Sequence, residues 1–325
     1  PYTTLFRSDI QRLTVGETLT VHASGSASTD ASLTGLDVGV ASVQAAVVVS
    51  MNDADNRTLV SVHNAKVGGM STFNATQNAA TDANIKTGGG SLMGLKANVA
   101  AAYGRAASVV DVTLDDATGL HGITAMNRAG DATDATIKNQ NFSMLSAQAM
   151  VGLAYSQDVF DTRVKLKGDN TVNGDVNINT NYLVTGSADI TPSTMGIDAS
   201  LAKLALNIGL ARNTAYAGAA LESEDGASTV NGSVNVSTDG AASTESTVHA
   251  AKFSISAVGI GANLVSADLA ATQAAQITLD NTTLHITGNA DVQSRANNTY
   301  LMRQIETALQ AGSDRICLPD RKSVV

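Results

Sequence analysis

The stretch "DNTVNGDVNINT", residues 169–180, decides the fold because it recurs as "ASTVNGSVNVST" at residues 227–238. The two copies share Thr-Val-Asn-Gly and then Val-Asn followed by a β-branched residue, so that Val172 corresponds to Val230. In both copies apolar residues alternate with polar ones, which places the apolar side chains on one face of a β-strand. The sequence therefore predicts a repeated β-strand unit.

Weaker copies of the same unit extend the repeat in both directions. Six apolar residues are taken as equivalent, at steps of 50 to 58 residues: Val21, Phe73, Met126, Ile178, Val236 and Ile286. A unit of this length, with short strands between Asp, Asn and Gly turns, cannot bury an apolar face alone, but stacked units can. We therefore predict an all-β fold, a parallel β-helix (β-solenoid) built from about six repeats of roughly 53 residues.

The alternating runs predict which side chains face inward. Leu204, Leu206, Ile208 and Leu210 alternate with smaller or polar residues, and 258–264 repeats the pattern. We expect Val, Ile and Leu to stack inward from rung to rung, and Asn and Thr to form outward ladders. If each repeat supplies two or three rungs of about 4.8 Å, the rod is roughly 60–85 Å long.

Composition excludes several classes of protein. The chain carries 20 Lys and Arg against 29 Asp and Glu, so it has no basic excess for nucleic acid. It has no run of 18 apolar residues, which predicts no membrane-spanning segment. Cys317 is the single cysteine, which excludes a disulfide scaffold and a cysteine metal site.

Short motifs for catalysis fail on order or completeness. Ser200 and Lys203 match the S-x-x-K of serine β-lactamases, but the K-T-G at residues 86–88 precedes them instead of following. Gly259 and Gly261 lack the third glycine of a dinucleotide fingerprint, and "GGGS" at 88–91 is interpreted as a flexible turn. Five histidines are too dispersed for a local metal motif: His22, His63, His121, His249 and His285. We predict no catalytic, cofactor-binding or metal residue.

Clusters of Asp and Asn are interpreted as turns. They occupy residues 51–56, 111–116 and 167–175. Such residues favour turns through local backbone hydrogen bonds, and Ca²⁺ binding by their oxygens is the weaker alternative. "LESEDGA", residues 221–227, is assigned to the extra length of the 58-residue step, as a solvated bulge or a contact spot.

Two longer runs carry a resemblance to a known family. "LALNIGLARNTAYAG" at 204–218 and "GIGANLVSADLAATQAAQI" at 259–277 resemble the long repeats of leukotoxin-family filamentous adhesins. The resemblance covers residues 36–300 and lies in pattern more than in signature residues. It implies a β-helical, cysteine-poor stalk of a bacterial surface protein, often exported as an autotransporter, and it transfers no catalytic or binding residue.

The two ends differ from the repeats between them. One DNA choice for residues 1–8, read on its complementary strand, encodes residues 320–325 and then a stop, so both are interpreted as translated sequencing adapter. The repeat domain is predicted at 9–300. Residues 301–319 form a non-repeat tail, in which the apolar spacing of 301–311 predicts a short capping helix or else a chimeric end.

These observations lead to a function hypothesis. The chain is interpreted as a non-catalytic structural stalk segment of a secreted adhesin at the bacterial cell surface, with host-surface, matrix or glycan ligands as partners. The alternatives are a carbohydrate-active β-helix, such as a polysaccharide lyase or hydrolase, and a matrix or surface-layer component that self-associates through strand edges.

Overall fold

The computed structural model describes residues 2–11, 14–64, 66–192, 198–249, 254–305, 310–311 and 314–317. These residues form strands and turns and no helix. The strands in chain order are β1 (Tyr2–Gln11), β2 (Thr14–Val15), β3 (Leu19–His63), β4 (Lys66–Val67), β5 (Ser71–Asp115), β6 (Ile123–Lys167), β7 (Thr171–Val172), β8 (Val176–Thr191), β9 (Asp198–Val230), β10 (Val234–His249), β11 (Ser254–Ile286), β12 (Ala290–Ile305), β13 (Gln310–Ala311) and β14 (Asp314–Cys317).

Each sequence repeat forms one rung of a parallel solenoid. β3 pairs in parallel with β5, and β5 with β6. β6 then pairs with both β8 and β9, which pair with β10 and β11. Stacked side chains are 52 to 58 residues apart. One whole repeat therefore forms one coil, and the next repeat pairs with it one strand further along the axis. The prediction of an all-β parallel solenoid is confirmed.

The predicted length of the rod is wrong. We number the rungs by their first residues, at 19, 71, 123, 176, 234 and 290. Six rungs at about 4.8 Å span roughly 25–30 Å, well short of the expected 60–85 Å. The reason is that one repeat makes one wide coil, and the length of a repeat does not reveal how many coils it forms.

Each rung consists of two long arms that face each other. Asn52 donates to the carbonyl of Ala27 across the interior, and Ser50 donates to the hydroxyl of Thr29. The chain therefore reverses between them, in a segment that we call the fold-back. We call the part before it the outbound arm and the part after it the return arm. In the first rung these are residues 19–36 and 43–63.

Side chains alternate between the interior and the outside along both arms. Val21, Phe73, Ala125, Ile178 and Val236 are in register and buried. The assignment of Met126 and Ile286 to this column is wrong. Met126 lies one residue beyond Ala125 and so points outward. Ile286 pairs with Val230, which belongs to a different column, and Val292 is the residue that pairs with Val236. A shift of one residue in a strand exchanges the two faces.

A second apolar column follows the turns that join one rung to the next. Leu120, Val172 and Val230 lie above one another, and all three are buried. The prediction that Val172 and Val230 stack along a common axis is confirmed. These side chains join the ends of both arms in one core cluster.

The turn that ends each return arm has a left-handed backbone. Asn64, Asp116, Asp225 and Asn281 occupy the same place in successive rungs, with φ between 49° and 52°, and Gly168 takes this place in the third rung with φ 72°. Asn, Asp and Gly tolerate this region of φ better than other residues do. The turn interpretation of Asp and Asn is confirmed at Asp116 but is wrong for 111–115, which belong to β5. In 167–175 it is confirmed for 168–170 and 173–175, on either side of β7.

Other turn predictions are wrong. Residues 51–56 lie inside β3, where Asn52 and Asn56 point inward and Asp53 points outward. The glycines of 88–91 lie in β5 at the fold-back, where the reversal happens within continuous strand pairing. Strand pairing with neighbouring rungs satisfies the backbone in both places, and this overrides the local preference for a turn.

The tail also differs from the expected helix. Residues 301–305 continue β12 and pair with β10, and residues 310–311 pair with β11. Residues 306–309 lie outside the described residues. The exposed edge of the previous rung offers a row of hydrogen-bond partners to this segment, and that row overrides its helical spacing.

The extra length of the 58-residue step lies elsewhere than predicted. Ser187 is bonded to Asp134, 53 residues before it, whereas Ser156 is bonded to Asn213, 57 residues after it. Most of the insertion therefore lies between 187 and 213, near the fold-back of the fourth rung. "LESEDGA" at 221–227 is aligned with β6 as far as Glu224, and only one residue of the extra length lies between Glu224 and Thr229.

Candidate functional site

The outer surface of the return arms carries a broad apolar patch. We define the apolar face as the outward side chains of residues 43–51, 95–103, 147–155 and 204–210, which are Val, Leu, Ile, Ala, Met and Tyr. Val43 is 76% exposed and Leu204 is 55% exposed. The prediction that Leu204, Leu206, Ile208 and Leu210 stack inward is therefore wrong, since Asn207 and Ala211, which alternate with them, are buried in their place.

Small side chains explain why the alternation is inverted here. Gly209 points into the space between the arms, and a Cβ at that position would lie 2.8 Å from the hydroxyl of Ser246. At Gly209 the opposite arm leaves no room for a leucine side chain, although Met150 is buried at the place of Asn207 in the third rung. The bulky residues of this stretch therefore occupy the outer surface.

The apolar face continues around the fold-back. Leu36, Val38 and Val40 of the first rung are all more than 70% exposed, and Leu92 and Met144 are exposed in the next two rungs. Soluble proteins scatter single apolar residues over their surface, but contiguous patches of this kind mark interaction sites.

Beyond the apolar face, the return arms carry a ladder of charges. Arg163 bonds Glu222 at 3.1 Å, and Lys165 bonds Glu224 at 3.0 Å and Glu222 at 3.6 Å. The hydrogen bond to Glu224 and the charge of both glutamates raise the pKa of Lys165, although burial opposes this. The acidic residues of "LESEDGA" thus hold two neighbouring rungs together.

The outbound arms present the opposite, polar face. Asp30, Asp82 and Asp134 form one outward column, and Ser187 continues it with a 2.6 Å hydrogen bond to Asp134. Burial raises the pKa of Asp82, and the charges of Asp134 and Asp30 raise it further. Asn179 likewise donates to Ser237 on the next rung. This is the outward polar ladder that the sequence predicted.

An open groove of about 700 Å³ crosses the polar face. Its lining includes Thr76, Arg128, Asn181 and Asp239, one from each of four successive rungs. Gly130 leaves room at its floor because it has no side chain. The groove therefore combines one cation, one carboxylate and several hydrogen-bonding side chains on a single flat sheet.

A pair of carboxyl groups lies inside the third rung, where no sequence motif indicated one. Asp131 and Asp158 are 3% and 1% exposed, and their side chains lie close to each other. Burial raises the pKa of Asp131 to about 6, and burial together with the charge of Asp131 raises that of Asp158 well above its usual range. Ala106 N–H donates to Asp158, and the Thr133 hydroxyl donates to Asp131.

A buried lysine lies in the second rung. Lys96 is 1% exposed, and its Nζ has no hydrogen-bond partner. Burial lowers the pKa of Lys96, and the charge of Asp37 opposes this only in part. In the register of the strands, Lys96 lies between Gln44 of the first rung and Gln148 of the third rung. Lys96 occupies an inward place of the strand alternation, and a charged residue at such a place is the sequence signal for this site.

The weak motifs of the sequence do not converge on a site. Lys86 lies in β5, whereas Ser200 and Lys203 lie in β9, two rungs away. His63 contacts Asp115 at 2.9 Å and His249 contacts Asp189 at 3.3 Å, on different rungs. Among the described residues, no group of three or more His, Cys, Asp or Glu could hold a metal ion.

Comparisons with protein families, with curated proteins and with solved structures returned no match. The resemblance to filamentous adhesins therefore rests on the sequence pattern alone. No helix of the described chain is long and apolar enough to cross a membrane.

Proposed function

We propose that the chain is a non-catalytic stalk segment of a large secreted bacterial surface protein of the adhesin type. The observation that carries this proposal is the recurring parallel register of the described rungs, which resumes after the insertion near the fold-back of the fourth rung. Column after column continues from 19 to 305, so the outline of the molecule is nearly constant along its axis. Such a fold extends by the addition of rungs and requires no change in the existing ones.

The mechanism of a stalk is geometric. Each added repeat lengthens the solenoid by one strand spacing and leaves the outer faces aligned. The polar face adds a second role, because its groove offers Arg128, Asn181 and Asp239 to hydroxyl-rich ligands such as glycans. Contacts of this kind are individually weak, and a repetitive surface compensates for this by offering many of them at once.

The DNA that flanks the coding segment tests the stalk. We expect it to encode further repeats of 52 to 58 residues together with an export or anchoring domain. A flanking cytosolic enzyme domain would contradict the proposal.

Beads coated with the purified chain test the adhesive role. We expect retention on mucin or matrix polysaccharide that rises steeply with coating density. Arg128→Ala with Asn181→Ala should reduce that retention, and Thr72→Ala with Thr124→Ala, on the same face but outside the groove lining, should not. If the chain instead shortens the polysaccharide, as followed by size-exclusion chromatography, the carbohydrate-active alternative replaces the stalk.

A further inference from the structure

The apolar face is at or above the upper limit of the apolar patches found on typical monomers. It spans four rungs, or about 19 Å along the axis, and nine residues, or about 30 Å along the strands. This is roughly 600 Å² of flat sheet, and the exposed side chains of the fold-back bring it to the order of 800 Å². The largest apolar patch on a typical monomer is about 300–600 Å², whereas each partner in a standard protein interface buries about 800 Å².

We propose that the apolar face binds the apolar face of a second copy of this chain, sheet against sheet. The outward residues of the face are of the same types that fill the interior of the solenoid. None of the outward residues in the four segments that define the face is charged. Two sheets of this composition pack about 10 Å apart with interdigitated side chains. A second copy carries the same apolar sheet, and a two-fold axis places the two identical sheets against each other.

Other occupants fit the observations less well. Runs of the chain outside the described residues are eight residues or shorter, too short to cover the face. A lipid surface usually draws basic residues to its headgroups, but the chain has a net charge of −9. Arg105 and Arg212, at the border of the face, are moreover paired with Asp53 and Asp268. An uncharged, flat sheet bordered by paired charges suits another sheet.

Sedimentation velocity of the full chain tests this proposal over roughly 1 to 100 µM. We expect dimers that dissociate into monomers on dilution. Val99→Lys with Val151→Lys, which places two charges at the centre of the face, should weaken pairing at least about 100-fold. The matched control is Thr72→Lys with Thr124→Lys, in the same two rungs on the polar face, and this control should pair like the unmodified chain.

Further measurements decide between the occupants. Circular dichroism establishes that each variant is folded, and Val99→Thr with Val151→Thr replaces the lysine pair if that pair does not fold. A chain that stays monomeric throughout the range, or a pairing that survives both face variants, overturns the proposal. Monomers that float with phosphatidylcholine vesicles overturn it in favour of lipid. None of these results decides whether the chain is a stalk, since the flanking DNA tests that separately.

Discussion

The carboxyl groups of Asp131 and Asp158 lie close to each other inside the third rung, although Asp131 is on the outbound arm and Asp158 on the return arm. In the neighbouring second rung the matching positions are Ala79 and Ala106. Asp131 Oδ1 and Asp158 Oδ2 have no hydrogen-bond partner. Two buried carboxyl groups that lie side by side are expected to share a proton, and this lowers the stability of the fold when both ionise.

The buried pair should make the solenoid less stable as pH rises. Burial raises the pKa of Asp131 to about 6, and in the unfolded chain an aspartate ionises near 3.9. Between these values the folded chain holds more protons, so the free energy of unfolding falls with pH. Asp131→Asn keeps a donor to Asp158 but removes one titration. We expect it to stabilise the fold by on the order of 2 kcal/mol at pH 7.5 and not at pH 4.

Urea unfolding at the two pH values measures this difference. Asp53→Asn, which changes an exposed carboxylate, is the control and should shift the free energy by less than about 0.5 kcal/mol. Equal destabilisation by Asp131→Asn at both pH values would contradict the shared-proton interpretation.

Lys96 should have the opposite pH dependence. Its pKa is lowered by burial, so the folded chain releases this proton at a lower pH than the unfolded chain does. The free energy of unfolding therefore rises as pH increases towards 10.5, the ordinary value. Lys96→Met keeps the length of the side chain and removes the amine. We expect a gain of about 1–2 kcal/mol at pH 7 that narrows by pH 10.

Thermal unfolding of Lys96→Met at both pH values checks this. Lys86→Met, at an outward place of the same strand, is the matched control. A loss of stability in Lys96→Met at pH 7 would show that the amine has a partner that compensates for its burial.

Gly104 should be intolerant of a side chain. A Cβ there would lie 2.3 Å from Thr133 Oγ1 and 2.6 Å from Asp131 Oδ2, so Gly104→Ala should cost about 1–3 kcal/mol. At Gly261, another strand glycine, the nearest atom to such a Cβ is 4.0 Å away. Gly261→Ala should therefore be neutral or slightly stabilising, by up to about 1 kcal/mol, in the same chemical denaturation assay. Similar effects at both positions would contradict the close approach of Thr133 and Asp131, in the third rung, to Gly104.

The alternation of β8 predicts two contrasting truncations. Ile178 is fully buried, whereas Leu183, five residues on, is 57% exposed. Ile178→Ala removes core contacts and should cost about 2–5 kcal/mol, while Leu183→Ala should cost less than about 0.5 kcal/mol. Denaturant midpoints of the two variants measure this, and a reversed order would mean that β8 is shifted by one residue.

The local periodicity was sufficient to predict the fold class. Val172 and Val230 recur in matching contexts, and a repeat that cannot bury its own apolar face has to stack. The left-handed turns also had a sequence signal, since Asp116 and Asn64 are residue types that accept positive φ. No comparable signal predicted the number of coils per repeat.

The candidate sites were not predictable in the same way. In 204–211 both members of the alternation are compatible with an interior, since leucine is apolar and Asn207, Gly209 and Ala211 are small. The close approach of the opposite arm excludes leucine at Gly209, and the alternation of the strand then places the leucines of 204–210 on the outside. The contact between Asp131 and Asp158 likewise depends on how the two arms are aligned across the fold-back.

By itself, then, the sequence determined that this chain is a stack of β repeats, because a period of two and a repeat near 53 residues are local properties of the chain. Only the tertiary structure decided which side of each strand is buried and which residues meet across the interior. The physical reason is that burial depends on the distance between two arms, and that distance is set by all of their side chains together.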